Sequence, residues 1–144
     1  GAISNIAWSP DGQTIAFSGQ QGGIADLYLI NIAAGTVRQL TNDRYGDIQP
    51  TWSPDGKTIA FSSDRGATTN FETMTFSDLQ LATIDVASGQ IRVYSPFAHG
   101  KHLNPQYSPD GRSLFFISDQ DGFCDIYRLE TASGALSRVQ RLST

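Results

Sequence analysis

The sequence predicts an all-β fold made of three successive four-stranded antiparallel sheets, and three observations carry that expectation. The pentapeptide WSPDG at Trp8–Gly12 returns unchanged at Trp52–Gly56 and as YSPDG at Tyr107–Gly111. Each copy is followed by a short apolar run ending in Ser: TIAFS at 14–18, TIAFS at 58–62 and SLFFIS at 113–118. The copies are 44 and 55 residues apart, a spacing typical of supersecondary units that stack on one another.

Taken in order, each unit reads as four strands. Ile3–Trp8 and its counterparts before the second and third turns supply the first strand. The Ser-Pro-Asp-Gly turn follows: Pro fixes one dihedral, Asp bonds back to nearby amides, and Gly takes the positive-φ position. The apolar run after it is the second strand, rich in Ile, Phe and Leu and too short for an amphipathic helix. The third strands are DLYLINIAAG at 26–35, QLATIDVASG at 80–89 and DIYRLETASG at 125–134, each closed by an Ala-x-Gly turn. TVRQLT, QIRVYS and ALSRVQRLST then supply the fourth, with Leu142 in the last of them. The expected division is a single module, residues 1–144, with blades at about 1–41, 42–95 and 96–144.

Composition bounds what such a module does. The 144 residues carry 39% hydrophobic and 17% charged side chains, an ordinary globular balance for one domain. Net charge is −4, and the ten Lys and Arg residues are scattered singly, which argues against a nucleic-acid backbone as partner. One cysteine, Cys124, excludes an internal disulfide and a Cys-based zinc cluster. No apolar run approaches bilayer length, and the N-terminus does not read as a signal peptide, so no membrane insertion is expected.

The residues Trp-Ser-Pro-Asp-Gly, Ile-Ala-Phe-Ser, Asp-x-Tyr, Ala-x-Gly and Leu-Thr, in that order, resemble the WD-like repeat of TolB-type β-propellers. They are also similar to repeats in the non-catalytic propellers of prolyl oligopeptidase-type serine peptidases. There is no Trp-Asp dipeptide, which separates the chain from eukaryotic-type WD repeats. The resemblance implies a binding or scaffold module in an extracytoplasmic, periplasmic bacterial setting, with a protein partner. The alternatives it leaves open are an accessory propeller of such a peptidase and a metal-dependent sugar lyase propeller. Propellers close with about four to eight blades, so three blades are expected to be half of a six-bladed ring. Either two copies pair head to tail, or the chain belongs to a longer propeller.

The candidate site lies on the face opposite the tight turns, where the irregular loops converge. Ser53 to Gln80 spans 27 positions against 17 from Ser9 to Asp26, so ten residues are added within 64–80, including Phe71, Met74 and Phe76. Insertions on one face of a repeat protein are often its binding face. The plainer account, and the expected one, is that these residues cover a blade edge or extend a strand pair. The loops of that face contribute Arg44, Asp47, Asp64, Arg65, His99, Lys101, His102, Asn104, Asp119 and Asp121 as binding candidates for a protein, peptide or carbohydrate. His99 and His102 have the spacing of a metal pair but no third His, and are expected to be exposed or hydrogen-bonded loop residues. Asp119, Asp121 and Asp125 resemble a short calcium loop without its remaining ligands, and are expected to stabilise turns. No metal or cofactor is expected.

No Gly-x-Ser-x-Gly elbow is present, and the chain is expected to be non-enzymatic. Cys124 aligns with Ala25 and is expected to pack as a small residue. Trp8, Trp52, Tyr107, Phe17, Phe61 and Phe116 recur at equivalent positions and are expected in the core.

Overall fold

The computed structural model describes residues 1–140; the part of the last expected strand around Leu142 lies outside them. Twelve strands form three four-stranded antiparallel sheets in meander order. The first blade holds β1 (Ile3–Trp8), β2 (Thr14–Gln21), β3 (Ile24–Asn31) and β4 (Val37–Gln39). The second holds β5 (Asp47–Trp52), β6 (Thr58–Ser63), β7 (Gln80–Asp85) and β8 (Ile91–Tyr94). The third holds β9 (His102–Tyr107), β10 (Ser113–Ser118), β11 (Asp125–Glu130) and β12 (Leu136–Gln140).

The tight turns are built identically. In the first, Ser9 Oγ donates to Asp11 Oδ1 at 2.6 Å, Asp11 Oδ1 also accepts from the Gln13 amide at 3.0 Å, and the Thr14 amide returns to Ser9 Oγ at 3.0 Å. The same bonds recur around Asp55 and Asp110. The closing glycines have φ of 71°, 71° and 74°, a region costly for other residues. Hydrogen bonds from the serine hydroxyls hold the Asp11, Asp55 and Asp110 carboxyls below their ordinary value.

A second repeated device is less conspicuous. Asn5, Gln49 and Asn104 occupy one aligned position, and all are left-handed, with φ of 52°, 57° and 50°. Each sits where the first strand of its blade slips register against the second, a β-bulge. Asn tolerates this backbone better than most residues.

Alternation along the strands places two apolar faces on every blade. Ala16, Leu27 and Leu29 of the first blade meet Ile59, Phe61, Ala82 and Ile84 of the second in one buried cluster. Leu81 on the second blade's other face meets Phe116, Tyr127 and Leu129 of the third. Hydrogen bonds cross the same seams. Ser18 Oγ donates to the Asp47 carbonyl at 3.0 Å, and Ser62 Oγ at the equivalent position donates to the His102 carbonyl at 2.8 Å. Trp52 Nε1 donates to the Ala7 carbonyl at 3.1 Å.

The core expectation for the repeated aromatics therefore holds by blade and not by residue type. Phe61 and Phe116 are buried, and Trp52 is half-buried against the first core. Trp8 is 55% exposed, with Ile3 and Ile6 beside it on β1, because these residues face away from the second blade. The packing assigns most of the stability to the second blade, which is covered on both sides. Phe61→Ala is expected to lower unfolding free energy by about 3–5 kcal/mol in chemical denaturation; a loss below about 1 kcal/mol would contradict this packing.

Candidate functional site

The loops between blades, and those between second and third strands, meet on the face opposite the tight turns. At the seam of the first and second blades, Arg65 is the organising residue. Its Nη2 lies 2.6 Å from Asp47 Oδ2 and 3.0 Å from Asp43 Oδ2, and its Nε donates to Ser63 Oγ at 2.9 Å. The guanidinium carbon sits 5.0 Å from the Tyr45 ring centre. Asp47 is fully buried; burial pushes its carboxyl up, against the pull of the Arg65 hydrogen bond and charge. Asp26, Asp43 and Asp47 offer carboxylate oxygens within 4.8 Å of one another, the one such group among the described residues. Arg65 already pairs with two of the three, so this cluster is an ion-paired joint between blades.

The insert begins directly after Arg65. Asn70 and Thr75 exchange both backbone hydrogen bonds, at 2.7 and 2.9 Å, and Asn70 Oδ1 accepts from the Glu72 and Thr73 amides. This closes a tight turn with Met74 left-handed at φ 54°. The base is tied by Thr69 Oγ1, which donates to the Asp64 carbonyl and accepts from the Ser77 amide, and by Thr68 against Ser77. Gly66 lies so close to Ser77 that a Cβ there would collide with it. The expected extended strand pair is therefore absent: Asn70–Thr75 is a single bridge, and compact side-chain ties replace a ladder.

That turn leans over the β2–β3 hairpin of the first blade. Phe71 packs on Tyr45 with ring centres 5.3 Å apart and on Phe76 at 6.2 Å, and the Arg44 guanidinium carbon lies 4.0 Å from the Phe71 ring centre. Between the turn and the hairpin is an open cleft of about 460 Å³, bordered by Gly22, Ile24, Arg44, Asp64, Phe71 and Met74. Met74 is 67% and Phe76 46% exposed. Asp64 accepts from the Gly46 amide at 2.8 Å, which fixes the loop carrying Arg44.

The remaining candidates gather at the seam of the second and third blades. His99 is exposed, whereas His102 is fully buried between the rings of Phe97 and Phe116, at 5.7 and 5.6 Å. Its Nδ1 donates to the Leu79 carbonyl at 2.9 Å, and Nε2 has no partner among the described residues. The two histidines thus do not converge. Lys101 is fixed through its amide, which donates to Asp119 Oδ1 at 2.8 Å. Gly100, at φ 89°, approaches Gln120 so closely that a Cβ would stand 2.6 Å from its Cα. The Asn104 amide donates to Gln49 Oε1 at 2.9 Å, joining the bulges of successive blades.

Asp121 pairs with Arg138 at 2.8 Å, and Arg138 Nε also stands 3.5 Å from Asp125. Asp119 thus holds the Lys101 amide, while Asp121 and Asp125 share Arg138. Cys124 is exposed, which corrects the expectation that it packs like Ala25. Residues that alignment of the irregular loops did not single out, Asp43, Tyr45 and Ser77, hold the loops; their signal is hydrogen-bond geometry.

A family model described as the TolB beta propeller domain matches residues 1–93. The chain belongs to that family. It is similar to an uncharacterized peptidase, YuxL, of Bacillus subtilis, at 31% identity over 78% of this chain and 21% of the relative. Among solved structures it is similar to TolB of Acinetobacter baumannii, with TM-score 0.79 and 24% identity over 98% of this chain and 33% of that one. A structure assigned to TolB of Agrobacterium tumefaciens gives TM-score 0.77 and 21% identity over 92% of this chain and 47% of that one. The chain thus spans about a fifth of the curated relative's length and less than half of either solved structure.

Burial holds the His102 imidazole below its ordinary range, with the Leu79 carbonyl opposing. A depressed histidine contributes stability above the unfolded value, about pH 6.5, and loses it as pH falls. Thermal melts are expected to show the midpoint dropping between about pH 7 and pH 5, a slope that His102→Gln removes. Persistence of the full slope in that variant would assign it elsewhere.

Proposed function

We propose that the chain is a non-catalytic binding and scaffold module of an extracytoplasmic propeller, whose insert-bearing face receives a protein or peptide segment. The observation that carries this reading is the cleft beside the insert. Exposed Met74 and Phe76 flank it, with Arg44 held on Phe71 at its rim. Aromatic, Met and Arg side chains are the types enriched at protein interfaces, and Met adapts to irregular partners. The ties at the base of the turn pre-form the surface, so little ordering entropy opposes docking. Carbohydrate is the less suited partner here, since the exposed tip is apolar rather than hydroxyl-bearing.

In the same reading, the open faces of the first and third blades are covered by further blades, from a second copy or a longer chain. The similarity to a peptidase supports a second reading, an accessory propeller beside a catalytic domain.

Peptides selected by display on the 144-residue chain should bind Met74→Ser/Phe76→Ser at least about tenfold more weakly in calorimetry, as expected for interface anchors. Lys57→Ser, on the opposite face, should bind them unchanged. Equal affinity for the double variant, or no enrichment of any peptide, would contradict the proposal.

A further inference from the structure

The tight-turn face holds a feature that the insert face does not explain. Each seam between blades leaves a cleft there, and the two clefts are built from aligned residues but differ in character. Between the first and second blades the cleft is about 410 Å³, lined by Leu29, Trp52 and Val86 and crossed by Arg38. Trp52 is anchored through its indole N–H, and Arg38 Nη2 donates across the seam to the Val86 carbonyl at 3.1 Å.

Between the second and third blades the same positions carry Thr83, Tyr107 and Thr131, and the cleft widens to about 690 Å³. Three apolar residues have thus become three hydroxyl-bearing ones around one space. The strap is also open. Arg92, aligned with Arg38, lies 4.5 Å over the Tyr94 ring centre instead of crossing to the third blade.

Thr83 supplies an independent observation. The residue is only 8% exposed and borders the cleft, yet its hydroxyl makes no hydrogen bond to a described residue. The Tyr107 hydroxyl likewise has no protein partner among them, though it is half-buried at the same wall. The Thr83 hydroxyl is not among the buried unpartnered atoms, so it reaches the open space of the cleft, where a ligand's polar group can meet it.

We propose that the cleft between the second and third blades is a binding site for a neutral polyhydroxylated ligand, a saccharide ring. Its volume lies in the range of small-molecule sites. The walls offer both kinds of partner that sugar hydroxyls use: carboxylates of Asp55 and Asp110 as acceptors, and Arg92 and the Thr and Tyr hydroxyls as donors. Asp55, Asp85 and Asp110 outweigh Arg92 along the walls, a net negative lining that opposes uronates and phosphates. A neutral ring with many hydroxyls meets these donors and acceptors without adding a further negative charge. This site is on the opposite face from the insert, so its fate is independent of peptide binding there.

The test is an amide chemical-shift titration of the 144-residue chain with maltotriose, cellotriose and diacetylchitobiose, each to about 50 mM, a range that detects affinities weaker than 1 mM. Trigalacturonate and spermidine serve as charged counterparts. At least one neutral probe should shift Thr83, Arg92 and Tyr107. The isosteric Thr83→Val should weaken that probe several-fold, and Thr83→Leu/Tyr107→Trp/Thr131→Val, which rebuilds the first seam's lining, should abolish it. Circular dichroism on the same samples confirms that each variant is folded. Shifts by a charged probe only, no shift at these residues with any neutral probe, or undiminished binding by Thr83→Val would overturn the proposal.

Discussion

The structure depends on burial between successive blades. A four-stranded sheet of this composition has two apolar faces, and neither is covered by its own chain until the next repeat arrives. The second blade is the case in which both faces are covered: Phe61 and Ile84 on one side, Leu81 on the other. The aligned positions on the outer side of the first blade, Ile15, Phe17, Tyr28 and Ile30, are half-buried only. On the outer side of the third blade, Phe115, Ile117 and Ile126 are equally uncovered. Ile117 also stands where Ser18 and Ser62 donate across the other seams, so the third blade's outer face lacks that polar cross-tie.

The two faces of the assembly follow from one asymmetry. The turns after each first strand are closed by the same Ser-Asp-amide bonds three times, which fixes the strands and leaves little freedom. The opposite loops have no common sequence, and each is secured differently: Arg65 between Asp43 and Asp47, Thr69 across the base of the insert, Gly100 pressed against Gln120. Irregular loops on a regular scaffold are where a repeat protein acquires a specific surface. The clefts of the regular face show that variation enters there too, through side chains at aligned positions and not through loop length.

Much of the fold was legible because the repeat itself is legible. Three identical turns, strand-length apolar runs and Ala-x-Gly closures determine the strand order, and nothing competes with them. Burial was less legible, since alignment reports equivalence while exposure depends on neighbours. Trp8 and Trp52 are the same residue in the same turn, yet Trp52 packs on the first blade while Trp8 faces away from the second and is exposed. His102 reads as a loop histidine but begins β9, aligned with the buried Asp47, and that alignment was the available signal. The insert's alternation suggested a strand pair, but Asn70 and Met74 favour a tight turn through side-chain bonds and a left-handed residue, which periodicity does not register. The left-handed column of Asn5, Gln49 and Asn104 was legible only in part, since Asn favours such backbone and Gln does not.

The most direct test of the dependence on blade-to-blade burial is absolute mass by light scattering across a dilution series, with circular dichroism on the same samples. The account expects β signal to accompany association, with a folded species near twice 15.6 kDa or larger and loss of structure on dilution to monomer. A monomer of 15.6 kDa that keeps its full β signal and unfolds cooperatively at every concentration would contradict it.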